Sequence, residues 1–192
     1  MTSSVRGPFA NQIKNRNFLA PVGFKFSLSK YPKVSFFSNT ARIPDISLGT
    51  AIESTYLKDI DFPGEKLTYG ELNVRFLVDE DLKNYMAIQK WIRGLGYPET
   101  MKEFTDLESE STMPANFGQP GDNIYSDGTL QILNSSLVPN FQVVFKDLFP
   151  YSLTTLSFDA TDTDIEYFTA EVSMKYSIYN LTDLENNTLN PN

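Results

Sequence analysis

A chain of 192 residues, 41% of them hydrophobic, suits one domain with a sizeable core. It has no cysteine, which excludes disulfides, thiol nucleophiles and Cys-type zinc sites, and no histidine, which removes the usual general base, the Ser-His-Asp triad and the commonest metal ligand. Its net charge of −8 repels phosphate and offers no electrostatic footprint for nucleic acid or an anionic membrane surface.

Residues 1–16 are polar with scattered positive charge and read as a flexible arm. They lack the apolar run of a secretory signal, and no stretch approaches the ~20 apolar residues that span a bilayer. The chain is therefore expected to fold in a cytoplasm, without a membrane anchor. Val22, Phe24, Phe26 and Leu28 alternate with polar residues as in a strand with one apolar face. A turn at Tyr31-Pro32 and a second strand over Val34 to Thr40 make 21–40 a predicted hairpin.

Residues 41–61 show no clean period and read as a long connecting loop, extended in part. Long loops in compact domains are functional or disordered. Here Ile46, Leu48, Ile52, Tyr56, Leu57 and Ile60 argue against disorder and call for a surface to pack on, such as a neighbouring subunit. Phe62-Pro63-Gly64 reads as a turn. Leu72, Val74, Phe76 and Val78 then alternate with Glu71, Asn73, Arg75 and Leu77, giving a strand.

Asp79-Glu80-Asp81 reads as a helix start, because acids suit a cap and the positive end of the helix dipole. Tyr85, Ile88, Trp91, Ile92 and Leu95 share one face of that helix, with Lys83, Lys90 and Arg93 opposite, and Gly94, Gly96 and Pro98 stop it. About 99–128 reads as a long acidic insertion, with seven acids against the single base Lys102. Leu130 to Asn134 and Phe141 to Leu148 form a predicted hairpin ended by Phe149-Pro150, followed by a short strand over Ser152 to Asp159. In the closing strand Phe168, Ala170, Val172, Met174, Tyr176 and Ile178 alternate with a polar face, and 182–192 is a polar tail. About seven strands, one flanking helix and no βαβ alternation predict a mainly β fold, an antiparallel barrel or sandwich spanning 17–181.

The residues that could carry chemistry have ordinary structural readings as well. Asp159, Asp162 and Asp164 lack the spacing and central glycine of a calcium loop and read as a polar turn. Asp79, Glu80 and Asp81 could pair for acid–base work, but capping accounts for them. Trp91 could stack a sugar or base, but its helical spacing places it in the core. Gly94-Leu95-Gly96 follows a helix instead of preceding one and is no nucleotide loop. The chain is expected not to be an enzyme and to need no cofactor or metal. A carboxylate-dependent or sugar-binding barrel resting on Asp79 and Trp91 is the competing reading. The polar face of the closing strand is either a solvated sheet face or the lining of a wide aqueous channel.

An ordered set of short motifs resembles the tail tube proteins of contractile-tailed, T-even-like bacteriophages. That family has an apolar-Gly-acid turn, a W-x-V-x-V strand, and N-D-E opening a helix with a Trp near its end. This chain has Phe62-Pro63-Gly64-Glu65, Leu72-Asn73-Val74-Arg75-Phe76, Asp79-Glu80 and Trp91. The family's apolar-Trp-Pro turn is matched by Lys146 to Pro150, with Phe149 in place of Trp. Leu156 to Asp159 and Ile165 to Tyr176 match its closing strands. Asn17-Phe18 through Leu28 and the Ile43-Pro44 step also fit. The set covers most of 17–180, and the departures are the first 16 residues, the insertion and the tail.

The resemblance implies a structural virion protein whose strands close a wide barrel across a hexameric ring. Such rings stack into the inner tube of a contractile tail, a conduit for DNA ejection into the host. It makes the loop at about 44–60 the family's inter-ring stacking loop. It makes Glu71, Asn73, Arg75, Thr169, Glu171, Ser173 and Lys175 lumen-facing candidates, and it implies a negative wall that repels DNA. Pro63, Gly64, Asp79, Trp91 and Pro150 become structural turn and helix positions. The implied partners are further copies of the chain, the tail sheath, baseplate and terminator proteins, and genomic DNA passing without specific binding. Assembly in the host cytoplasm and residence in the virion tail follow. A baseplate tube initiator, a tail terminator, or the tube of a phage-tail-like injection system is the alternative.

Overall fold

The computed structural model describes residue 19 and residues 23–31, 38–96, 98–109, 124–158 and 167–189. Among these are nine strands and two helices. They are β1 (Phe24–Leu28), β2 (Ser38–Ala41), β3 (Ile46–Ser54), β4 (Asp59–Tyr69), β5 (Leu72–Leu77), α1 (Lys83–Gly96), α2 (Lys102–Ser109), β6 (Ser126–Leu133), β7 (Pro139–Leu153), β8 (Thr169–Lys175) and β9 (Ile178–Thr182). All pairings are antiparallel. The main sheet runs β1-β6-β7-β8-β5-β2, with β9 also on β7, and β3-β4 form a separate hairpin. The mainly antiparallel β fold expected from alternation is what forms.

Alternation decides which way each strand faces. Leu72, Val74 and Phe76 of β5 are buried, as are Ala170, Val172 and Met174 of β8 opposite them. Phe26, Leu28, Leu130, Val143, Phe145 and Leu148 close the core from β1, β6 and β7. The end strands β1 and β2 also come within 8 Å of each other between Cα atoms, so the sheet curls around this core.

Helix α1 plugs the core with Ile88 and Trp91, both fully buried. The Trp91 indole N–H donates to the Ile124 carbonyl at 2.9 Å, Tyr31 meets its ring edge-on, and the Lys30 ammonium lies 5.4 Å from its centroid. Burying an indole without such a partner for its N–H is costly.

Several expectations are corrected. The predicted 21–40 hairpin does not form: β1 pairs with β6 and β2 with β5, at opposite ends of the sheet order. Residues 41–61 are no loop; most of them belong to the β3-β4 hairpin. Phe62-Pro63-Gly64 lies inside β4 at a register shift opposite Leu48–Thr50, where an edge strand tolerates proline. A Cβ on Gly64 would sit 2.5 Å from the Gly49 carbonyl oxygen, so glycine is required there. Phe149-Pro150 does not end β7, which continues to Leu153 and leaves 154–158 outside any strand. Asp147, in the left-handed region at φ 56°, lies at the register shift of β7 against β6 between Phe145 and Leu148. The closing strand breaks at Tyr176-Ser177 into β8 and β9, both on β7, and Phe168 and Ile178 are exposed instead of inward.

The acidic insertion is not all loop. Its first part is α2, whose buried Leu107 packs so close to α1 that a Cβ on Gly94 would lie 2.9 Å away. With only Phe104 and Leu107 apolar among the eight residues of α2, the helical period is too short to read from sequence. The arm at 1–16, part of the predicted second strand, residues 110–123 and Asp159 to Asp164 lie outside the described residues.

Helix α1 starts at Lys83, not at Asp79. The Asp79 carbonyl accepts the Leu82 N–H at 2.8 Å, closing a turn, and Leu82, at φ 57°, accepts the first helical bond from Met86. Asn84, fully buried, takes the anchoring role. Its Nδ2 donates to the Leu77 carbonyl at 2.7 Å, and its Oδ1 accepts the Asp79 N–H at 3.2 Å. It thereby ties the end of β5 to the start of α1. Asn84→Ala should lower the unfolding free energy by about 1–3 kcal/mol, because the Leu77 carbonyl and Asp79 amide, both in part-buried hydrogen bonds, lose their partner. Urea denaturation followed by circular dichroism measures it, and an unchanged midpoint would refute the anchoring role.

Candidate functional site

Two surfaces stand out. The first is the outer face of β5-β8. Register places Asn73 opposite Ser173, Arg75 opposite Glu171 and Leu77 opposite Thr169, all pointing away from the core. The Arg75 guanidinium meets the Glu171 carboxylate at 3.3 Å, and Lys175 lies 3.8 Å from Glu71. Tyr151, from the continuation of β7, donates its hydroxyl to Glu71, and Lys175 lies 5.1 Å from the Tyr151 ring centroid. The seven polar residues singled out on these strands therefore form one continuous patch, joined by Tyr151. Sequence reading missed Tyr151 because Pro150 looked like a strand end.

The four charges of this patch balance, two acids against two bases. The hydrogen bond to Glu71, and then burial, hold the Tyr151 phenol above its ordinary range, with Ser173 acting in the opposite direction. Exposed pairs of this kind add little to stability, about 0–1 kcal/mol each. Their effect is on the character of the surface, which is hydrated, hydroxyl-bearing and without net charge.

The second surface is the β3-β4 hairpin. Every residue of β3 is exposed, and in β4 only Gly64 and Tyr69 are partly covered. Antiparallel partners point to the same side, so Ile46, Leu48, Leu67 and Tyr69 share one face near the base, with Ile52 further along it. Ile60, Phe62 and Ala51 lie on the opposite face toward the tip. The tip closes with the Thr55 N–H donating to the Lys58 carbonyl at 3.2 Å and Ser54 Oγ donating to Asp59 at 2.7 Å. Tyr56 and Leu57 stand bare at its end. Ile46, Leu48, Ile52, Tyr56, Leu57 and Ile60 thus all sit on one projecting ribbon. Phe62, Leu67 and Tyr69 join them, and the turn reading of 62–64 concealed these three. Two-faced exposure explains why no period was visible: no single side is dry.

The hairpin is anchored at its base by aromatic contacts. The Tyr69 ring centroid lies 6.0 Å from that of Tyr176 and 5.7 Å from that of Tyr179, while Phe145 packs beneath both. Tyr179 donates its hydroxyl to the Pro44 carbonyl at 3.1 Å, and the Gly70 N–H donates to the Asp45 carbonyl at 2.9 Å.

Pro63, Gly64 and Pro150 are strand positions. Asp79 belongs to the turn before α1, and Trp91 is enclosed in the core, where no ligand could stack on its ring. Among the described residues no three His, Cys, Asp or Glu side chains gather as a metal site, and no helix is long and apolar enough to cross a membrane.

The curled antiparallel sheet with its plugging helices is a fold found in the assemblies of contractile injection systems. A chain of the PVC sheath–tube complex of an extracellular contractile injection system, in the extended state, matches with a TM-score of 0.55 and 19% identity over 88% of this chain and 94% of that one. A chain of the anti-feeding prophage (AFP) tube-terminating cap matches with a TM-score of 0.57 and 17% identity, covering 92% and 99%. One from the PVC sheath/tube terminator matches at 0.54 and 20%, covering 88% and 99%. No protein-family model and no curated relative matches the sequence. At the level of fold, the likeness to contractile-tail proteins read from the motifs is borne out.

The aromatic anchor also sets a pH dependence. Burial, then the neighbouring Tyr179, Asp45 and Tyr69, push the Tyr176 phenol from 10.0 up to about 12, and its hydroxyl has no hydrogen-bond partner among the described residues. The raised value means that folding favours the neutral phenol. The stability this contributes is complete below pH 10 and is lost as pH rises through about 12. Thermal melting between pH 9 and pH 12 should therefore fall less steeply in Tyr176→Phe than in the unaltered chain, and parallel curves would contradict this reading.

Proposed function

We propose that this chain builds the inner tube of a contractile tail. Copies join side by side into hexameric rings, and the rings stack through the β3-β4 hairpin. The observation that carries the reading is the hairpin itself. A two-stranded ribbon is marginal in water on its own, and this one leaves apolar side chains bare on both faces. A surface of this kind calls for burial against another polypeptide.

The patch running from Glu71 to Lys175 supports a second element of the proposal, that this face lines the lumen. An ion-paired, hydroxyl-bearing wall without net charge has no excess of basic groups to hold a phosphate backbone. In a phage, the tube lies in the virion tail, is assembled in the host cytoplasm, meets sheath, baseplate and terminator proteins, and conducts genomic DNA during ejection. The role is architectural and not enzymatic.

A second reading is a terminator or baseplate component of such a device, or of a protein-injecting relative. It is favoured by the fold being shared with chains of a tube cap and a tube terminator over as much of the sequence as with a sheath–tube chain.

The two readings differ in assembly. Concentrated purified protein should give stacked tubes by negative-stain microscopy for a tube subunit and single rings for a terminator. Compact monomers at every concentration would sink both. In the tube reading, Leu57→Asp should leave the thermal midpoint of the monomer unchanged, because the residue is bare, and should reduce tubes to unstacked rings.

A further inference from the structure

The segment after β9, which reads as a polar tail in the sequence, turns back and lies along that strand. Antiparallel pairing brings Thr188 opposite Thr182. The Asp183 N–H donates to the Asn187 carbonyl at 2.8 Å, and the Leu189 N–H donates to the Leu181 carbonyl at 3.3 Å. The turn between them is closed by the Asn186 N–H on the Asp183 carbonyl at 2.9 Å, with Asn186 in the left-handed region at φ 63°. A buried side chain fastens this turn from beneath. Gln142 of β7 donates its Nε2 to the Asp183 carbonyl at 3.2 Å and to the Asn186 Oδ1 at 2.9 Å.

What the returning segment covers is a sheet edge. On one side β9 pairs with Gln142 to Lys146 of β7. The Leu181 carbonyl and the Asp183 N–H point to the other side, where among the described residues only the returning segment meets them. An edge with unpaired backbone groups is a template for another chain, and covering it is one way a fold prevents that pairing. Here the cover is light. Two backbone bonds hold it to β9, and Leu181, Leu184 and Leu189 stay 44%, 44% and 45% exposed. So little apolar burial opposes its release. The turn is held by Gln142, so the part free to leave is Asn187 to Leu189.

We infer that Asn187 to Leu189 form an autoinhibitory strap, which occupies the outer edge of β9 in the single chain and gives way to a strand of a second copy. The edge already accepts an extended segment of this same chain in antiparallel register. A longer strand would in addition cover Ile178 and Leu181, which the strap leaves exposed. Copies can join there only during the fraction of time the strap is away, which weakens their apparent affinity by that fraction. The strap thus sets the concentration at which copies begin to associate. It is independent of the stacking of rings through the hairpin.

Two variants test this, and both leave Asp183, Asn186 and their bonds to Gln142 in place. One ends the chain after Asn186. The other, Leu189→Pro, keeps the length and removes the N–H that reaches the Leu181 carbonyl. By sedimentation velocity each should associate at a concentration about tenfold below that of the unaltered chain, the order expected when one or two backbone hydrogen bonds no longer compete. In the shortened chain, hydrogen exchange at the Asp183 amide should be fast in the monomer and slow once copies associate. Association unchanged or weakened in the shortened chain would overturn the strap, and so would association that leaves the Asp183 amide exchanging freely. If the shortened chain melts well below the unaltered one, Leu189→Pro decides by the same concentration criterion. Neither variant touches β3 or β4, so either result leaves the tube reading where it stands.

Discussion

The pairing of β5 with β8 is the constraint on which the rest depends. Val74 lies against Val172 and Arg75 against Glu171, so one register dries one face of the sheet and wets the other. A slip of a single residue would send every side chain to the wrong side. With the register fixed, the dry face needs α1 and β6-β7 to cover it, and the wet face is left as a ladder of ion pairs that nothing in the described chain covers. Fold and candidate surface are thus two sides of the same ladder.

The hairpin depends on this arrangement indirectly. It leaves the sheet where β8 gives way to β9, and the break at Tyr176-Ser177 turns Tyr176 and Tyr179 toward Tyr69. An uninterrupted closing strand would leave the ribbon without this seat. Beyond the seat the ribbon depends on its own ladder and on whatever it meets. Separating a rigid core from a ribbon completed by a partner is a workable design for an assembling subunit, since the monomer can fold before its contacts are satisfied.

Much of this was legible beforehand. Strict alternation marks β1, β5 and β8, the 3.6-residue spacing of Ile88, Trp91 and Leu95 marks α1, and the same alternation picks out the polar residues of β5 and β8 that face each other. The hairpin was misread because its apolar residues are divided between two faces, so neither alternation nor a helical period emerges. Pro63-Gly64 and Phe149-Pro150 look like turns in a sequence, yet each is absorbed by a register shift, the first against β3 and the second against β8. Asn84 gave no signal, because a buried asparagine is recognised only by the carbonyl and amide it joins.

The sequence by itself determined the class of the protein: a β-rich chain without histidine or cysteine, one amphipathic helix, and which residues of β1, β5 and β8 are wet. These follow from side-chain chemistry and short periods, which are local. Only the tertiary structure decided that β1 and β2 part to opposite ends of the sheet order. It also decided that the apolar stretch after Pro44 is a ribbon bare on both faces. These are matters of long-range register and of what remains uncovered after the core has closed, and no window of neighbouring residues contains them.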